Sequence, residues 1–177
     1  MSQSQSQPQA PNPSNPTTTN TNTTTPTQPE PEPNPNPTTN ENTTRKSLYD
    51  SGLATRRSVL GDAHVSKTLS SANAFTAPMQ EMITEWAWGS VWNRPGLDRK
   101  QRSLMNIGLL IALNRQPELG MHVRGAIRNG LSELEIREAV MHSTVYCGAP
   151  AGMEGMRTVD AVLGEMEREG EIVREIK

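Results

Sequence analysis

Asp98-Arg99-Lys100-Gln101-Arg102-Ser103-Leu104-Met105-Asn106-Ile107-Gly108-Leu109-Leu110-Ile111-Ala112-Leu113 is the stretch that decides the fold. Asp98 followed three residues later by Gln101 is a capping box, in which each side chain satisfies a backbone N–H that a helix start leaves open. From Leu104 to Leu113 the helix is apolar nearly all round, as expected of a central element or an oligomer contact. The same pattern repeats downstream. Pro117 opens a fifth helix with Leu119, Val123, Ala126 and Ile127 as its buried stripe, and Gly130 closes it. Ser132 with Glu135 forms a second capping box and starts a sixth helix through Ile136, Ala139, Val140 and Ser143. Gly148-Ala149-Pro150 breaks it, and a last helix carries Met156, Val159, Leu163 and Met166 before fraying into the charged end Glu165–Lys177.

Upstream, a first helix is predicted from about Arg45 to Leu60, with Tyr49, Leu53 and Leu60 on one side and Gly61 as its stop. Asp62 is a candidate cap for a short helix carrying Val65 and Leu69. Thr76 is one for a third helix, with Pro78 in its first turn and Met79, Met82, Ile83 and Trp86 recurring toward Trp92. Asn93-Arg94-Pro95-Gly96 reads as a loop. No stretch alternates with period two, and no repeat of 20–50 residues stands out, so the expected fold class is all-α, with about six to seven helices.

Residues 1–44 are a different material. Thirty-nine of them are Ser, Thr, Asn, Gln or Pro, and there is no Lys, Arg or Gly. Ordering such a backbone costs roughly 1–2 kcal/mol per residue with almost no apolar burial to offset it. The expectation is a disordered tail at 1–44 and one domain at 45–177, the tail being a dispensable, solubilising extension. The domain carries 17 cations against 16 anions, interleaved along the chain, which argues against a nucleic-acid partner. No apolar run reaches the length of a membrane span. With Cys147 as the lone cysteine, an internal disulfide, a CxxC redox pair and a Cys-rich zinc site are excluded. The first residues lack the features of a secretion signal, and the expected compartment is the cytoplasm.

Three places put polar groups where the pattern calls for apolar ones. His122 lies on the stripe of the fifth helix, where burial would let it titrate near neutrality and move a proton; a core histidine bonded to a carbonyl is the alternative. His142 and Tyr146 share a face of the sixth helix and line either a pocket wall or a satisfied polar seam. Glu85 sits among Trp86 and Trp88; enclosed by indoles it would suit general-acid work, whereas at the surface it would pair with an arginine. Arg99 and Arg102, three apart at a helix start, could jointly hold a carboxylate. Cys147 has no adjacent cation and reads as a structural thiol.

The runs Arg56-Arg57-Ser58-Val59-Leu60-Gly61-Asp62-Ala63-His64-Val65, Ile83-Thr84-Glu85-Trp86-Ala87-Trp88-Gly89 and Arg94-Pro95-Gly96-Leu97-Asp98-Arg99 resemble the 4-carboxymuconolactone decarboxylase family. The likeness continues through Arg102-Ser103-Leu104, Met121-His122-Val123-Arg124, Glu135-Ile136-Arg137-Glu138-Ala139 and His142-Ser143-Thr144-Val145-Tyr146, spanning about residues 47–165. The resemblance implies a helical fold of the alkylhydroperoxidase D type, assembled as a homo-oligomer, a trimer or hexamer. It also implies decarboxylation of 4-carboxymuconolactone to 3-oxoadipate enol-lactone in the protocatechuate branch of the β-ketoadipate pathway, with no cofactor or metal. Peroxidase members of the wider superfamily use a Glu and a CxxC pair ahead of a His. Here that His matches His122, the two Cys positions fall on Arg115 and Glu118, and the Glu falls on Ser103, so the redox machinery is missing.

Under this resemblance His122 delivers the proton, with Glu85 as its partner or the alternative acid. Arg99 and Arg102 hold carboxylate, His142 and Tyr146 are further pocket donors, and Trp88 is an apolar wall. The substrate is a small dicarboxylate lactone. The competing readings are a paralogue on the same fold acting on another lactone or as a peroxidase, and a non-catalytic oligomeric binding module.

Overall fold

In the computed structural model, which describes residues 39–176 with side chains from residue 43, seven α-helices follow one another. They are α1 (Thr39–Leu60), α2 (Asp62–Ser70), α3 (Ala77–Ile83), α4 (Arg99–Ala112), α5 (Gln116–Arg128), α6 (Glu133–Cys147) and α7 (Ala149–Arg168). α3 runs directly into a π-helical segment, Thr84–Val91. The all-α expectation holds. Both capping boxes form: Gln101 N–H donates to the Asp98 carboxylate at 2.7 Å and Asp98 N–H to the Gln101 side chain at 2.9 Å. Ser132 and Glu135 exchange the equivalent pair at 3.2 and 2.8 Å. Gly130 closes α5 at φ +89°, where a side chain would be strained, and Leu131 N–H reaches back to Ala126 O at 3.0 Å.

The helices build two apolar clusters. α4 to α7 bury Ile107, Ile111, Leu119, Val123, Ala126, Ile136, Val140, Val159, Leu163 and Met166 together. Val59, Leu60, Val65 and Trp88 form the second cluster, from α1, α2 and the π segment, with Trp92 and Met121 packed against it. Met121 belongs to α5, so α5 is the seam between the two.

Five sequence expectations change here. The first helix begins at Thr39 rather than Arg45, so residues 39–44 continue α1; the expected tail over 1–38 lies outside the described residues. Asp62 does not cap α2: Gly61 is the cap, and Asp62 is bound by Arg57. Thr76 precedes α3, but its hydroxyl serves Asn73 instead. Of the Met79/Met82/Ile83/Trp86 stripe only Ile83 packs inward; Met79, Met82 and Trp86 are exposed, and in the π segment, whose wider turn departs from an α-helical register, Thr84, Trp88 and Gly89 are the buried residues. The chain beyond α7 does not simply fray, either. Buried Glu133 accepts from Arg174 and from the amides of Glu175 and Ile176, at 2.6 and 3.0 Å. Burial pushes its carboxyl up, and those donors more than offset this, holding it below the usual range. Among the described residues no helix is long and apolar enough to cross a membrane.

α1 and the π segment touch backbone to backbone. A Cβ on Gly52 would collide with Thr84 O and stand 2.6 Å from Gly89 N; one on Gly89 would collide with Leu48 O. Neither partner can yield as a flexible side chain would. Gly52→Ala is therefore expected to destabilise the domain by about 2–3 kcal/mol or more, read as a lowered midpoint in urea unfolding. An unchanged midpoint would refute the contact.

Candidate active site

His122 projects from the margin of α5, beside the fully buried Leu119 and Val123. Two indoles from the π segment and its C-cap meet it. Trp88 and Trp92 stack on each other at 4.8 Å, and each lies 6.3 Å from the imidazole with nearly parallel planes, 9° and 17° apart. On the α4 side, Asn106 Nδ2 is 3.4 Å from His122 Nδ1. Nε2 has no hydrogen-bond partner among the described residues. Burial drives the imidazole pKa down to about 4, with Glu118 one turn earlier on α5 acting in the opposite direction. At neutral pH the ring is therefore uncharged, an N–H donor rather than a store of acidic protons.

The sequence-derived site residues scatter more widely than expected. Trp88 is in the site, buried against Trp92 and His122. Arg102 is half-buried one turn before Asn106 on α4; its guanidinium donates to Arg94 O at 2.9 Å and so holds the Asn93–Gly96 loop. Its Nε is buried without an acceptor, so donor capacity remains. Arg99 instead reaches Ser58 on α1, at 2.8 Å. The two cations thus serve different partners and do not close on one point.

Glu85 is not enclosed by indoles and forms no hydrogen bond with His122. Arg45 holds it through two bonds at 3.2 and 3.3 Å, and Trp86 is 65% exposed. The rings of His142 and Tyr146 meet at 4.9 Å with planes tilted by 48°, but both point outward from α6. They do not reach His122 within one chain, because α6 turns Ile136, Val140 and Ser143 inward.

Three residues of this region escaped the sequence reading. Trp92 had a legible signal, four residues after Trp88. Asn106 is the polar interruption of the otherwise apolar Leu104–Leu113 run. Arg56 is a cation on the α1 stripe that also carries Gly52 and Val59. It is only 6% exposed and has no carboxylate partner: its guanidinium donates to Thr84 Oγ1 at 3.1 Å and Gln80 Oε1 at 2.8 Å, bracing the point where α3 becomes π-helical.

In this all-α domain the histidine lies beside the Trp88–Trp92 stack, with Asn106 next to its Nδ1 and Arg102 one turn from Asn106 on α4. The family profile described as the carboxymuconolactone decarboxylase family matches residues 77–161. A nitrosuccinic acid decarboxylase of Metarhizium robertsii is 52% identical over 136 residues, covering 77% of this chain and 94% of that protein. A 4-carboxymuconolactone decarboxylase of Acinetobacter baylyi is 41% identical over 118 residues, 67% of this chain and 88% of its own. A shorter match, 52% over 44 residues, is to a 4-carboxymuconolactone decarboxylase of Pseudomonas putida, covering 25% of this chain and 92% of that sequence. The chain belongs to the carboxymuconolactone decarboxylase family.

A buried neutral histidine makes stability pH-dependent with a definite sign. The unfolded chain protonates His122 near its ordinary value of about 6.5, while the folded chain resists until about 4. Between these values the unfolded state binds more protons. The contribution is intact above about 6.5 and is lost as pH falls through the folded value, amounting to about 3 kcal/mol. Unfolding free energies measured from pH 7 to 4 are expected to fall more steeply for the wild type than for His122→Gln. Parallel curves would contradict the burial of a neutral ring.

Proposed function

We propose that this protein is a cofactor-independent decarboxylase of small dicarboxylates whose departing carboxylate sits on a carbon joined to an electron sink. The observation that carries the reading is His122: neutral, beside the stacked Trp88 and Trp92, with Nε2 open and Arg102 one turn from its amide partner. Loss of CO2 breaks a C–C bond and leaves an electron pair, which passes into the sink. In 4-carboxymuconolactone the sink is the lactone carbonyl, reached through the double bond, and a dienolate results. In nitrosuccinate it is the nitro group, and a nitronate results. Either anion then takes a proton on carbon.

His122 donates Nε2–H to the oxygen where this charge develops, an interaction stronger in the transition state than in the ground state. Because the ring is neutral, water supplies the carbon proton, which revises the proton-delivery role expected for His122. The apolar faces of Trp88 and Trp92 disfavour a localised carboxylate more than a dispersed charge. Arg102, with Arg99 further along α4, receives the carboxylate that stays. Glu85, bound by Arg45, acts in anchoring α1 to the π segment.

Two substrates express this chemistry. The quoted sequence motifs support 4-carboxymuconolactone and the protocatechuate route; the higher identity and fuller coverage favour nitrosuccinate. A homo-oligomer, a trimer or hexamer, completes the proposal. Met105, Leu109 and Leu113 form an exposed apolar ladder on α4, 55%, 52% and 66% accessible, and Leu134, Met141 and Val145 are exposed on α6. A second copy of the same faces is the natural cover. His142 and Tyr146, beside Met141 and Val145, serve a site only within such an assembly.

The test is CO2 release from each substrate by the purified protein. One-to-one release from at least one is expected. His122→Ala should lower kcat about 10²–10³-fold, as removal of an oxyanion donor does, while Arg102→Ala should act mainly by raising KM. A folded protein that accelerates neither substrate would refute the reading. Light scattering should give a multiple of the 19.4 kDa chain mass; a monomer would remove the assembly.

A further inference from the structure

We propose that Asn106 is a positioning residue that holds His122 in the tautomer with its proton on Nε2, so that the open nitrogen is always the donor. This deepens the proposed decarboxylase chemistry and rests on it only for its effect on rate.

A side-chain amide nitrogen donates and cannot accept. Asn106 Nδ2 lies 3.4 Å from His122 Nδ1; with that amide nitrogen as donor, Nδ1 offers its lone pair and the single proton of the neutral ring resides on Nε2. Trp88 and Trp92 lie nearly parallel to the ring, each 6.3 Å from it. Asn106 is itself fixed by α4, between the fully buried Ser103 and Ile107. α4 begins from a complete capping box, so its register is set. The groups facing the imidazole from the neighbouring elements are the two indoles of the π-helical region and the amide of α4. Glu118, on its own helix, is the charge that acts on it. Without Asn106 the proton could settle on either nitrogen, and the Nδ1–H form would aim a lone pair at the developing oxyanion, where it repels rather than stabilises. A wrong histidine tautomer in otherwise intact geometry is among the more damaging changes an active site can suffer.

The chain has three histidines, His64, His122 and His142, so ¹⁵N-histidine labelling with long-range ¹H–¹⁵N correlation resolves each ring, with His122→Gln assigning the signal. At pH 7 the full-length wild type is expected to show His122 as the pure Nε2–H tautomer. Asn106→Ala should give a mixture of tautomers, with kcat down about tenfold or more and KM within twofold. Asn106→Asp supplies an acceptor at Nδ1, so the ring should retain a proton at Nδ1 to higher pH and the activity should acquire an inflection near neutrality absent from the wild type. An Nδ1–H tautomer in the wild type would overturn the proposal, and so would an Asn106→Ala protein that keeps a pure Nε2–H signal. The wild-type spectrum decides the tautomer even if a variant misfolds. It needs no substrate, so failure of this inference is separable from failure of the decarboxylase reading.

Discussion

At the crossing of α1 on the π segment, Gly52 and Gly89 let two backbones meet without side chains between them. That contact is a geometric demand before it is an energetic one. With the helices this close, Arg56 can reach both Gln80 and Thr84, on either side of the α-to-π transition. The π turn carries Trp88 inward, and Trp92 stacks on it over the imidazole. A crossing spaced by ordinary side chains would move these indoles away from α5. The site is thus set by two hydrogen atoms where other residues would have carbon.

Charge is distributed with the same economy. Arg124 answers Glu165, Glu169 and Glu171 at the surface, and Arg174 answers Glu133 and Asp160, so the carboxylates around α7 are largely neutralised there. Around His122 the walls are indole, amide and aliphatic side chains, and the imidazole responds by shedding its proton. Arg56 is the exception. It is a buried cation whose pKa burial pulls down and Tyr49 raises; its two terminal nitrogens meet neutral oxygens, and its Nε is buried without an acceptor. Leaving a charge without a counter-ion is costly, and here the cost is met where the π segment must be held.

Helices with complete local signals were readable in advance. The capping boxes at Asp98 and Ser132, the Pro117 start and the Gly130 stop are interactions among neighbours in sequence, and all of them formed. What was not readable was the choice among competing partners. Asp62 was drawn off by Arg57, five residues before it, and Glu85 took the arginine alternative through Arg45, forty residues away. The π register has no period to betray it, so Trp86, read on the stripe, emerged on the outside and Trp88 went in. His122 was legible because a polar group interrupted a strict apolar repeat. Asn106 carried the same kind of signal in the central helix, where it took the neighbouring helix to give it meaning.

The division into two apolar clusters has a consequence for how the molecule opens. Four consecutive helices, α4 to α7, hold one cluster, whereas α1, α2 and the π segment close theirs around a smaller set of side chains. Cooperative units of this kind exchange their amides at different free energies. The lesser unit, which owns both indoles, should lift from α5 while the four-helix unit remains intact. Deuterium would then enter α1 and the Thr84–Val91 amides ahead of those in α5, and catalytic competence would vanish during denaturation before most of the ellipticity does.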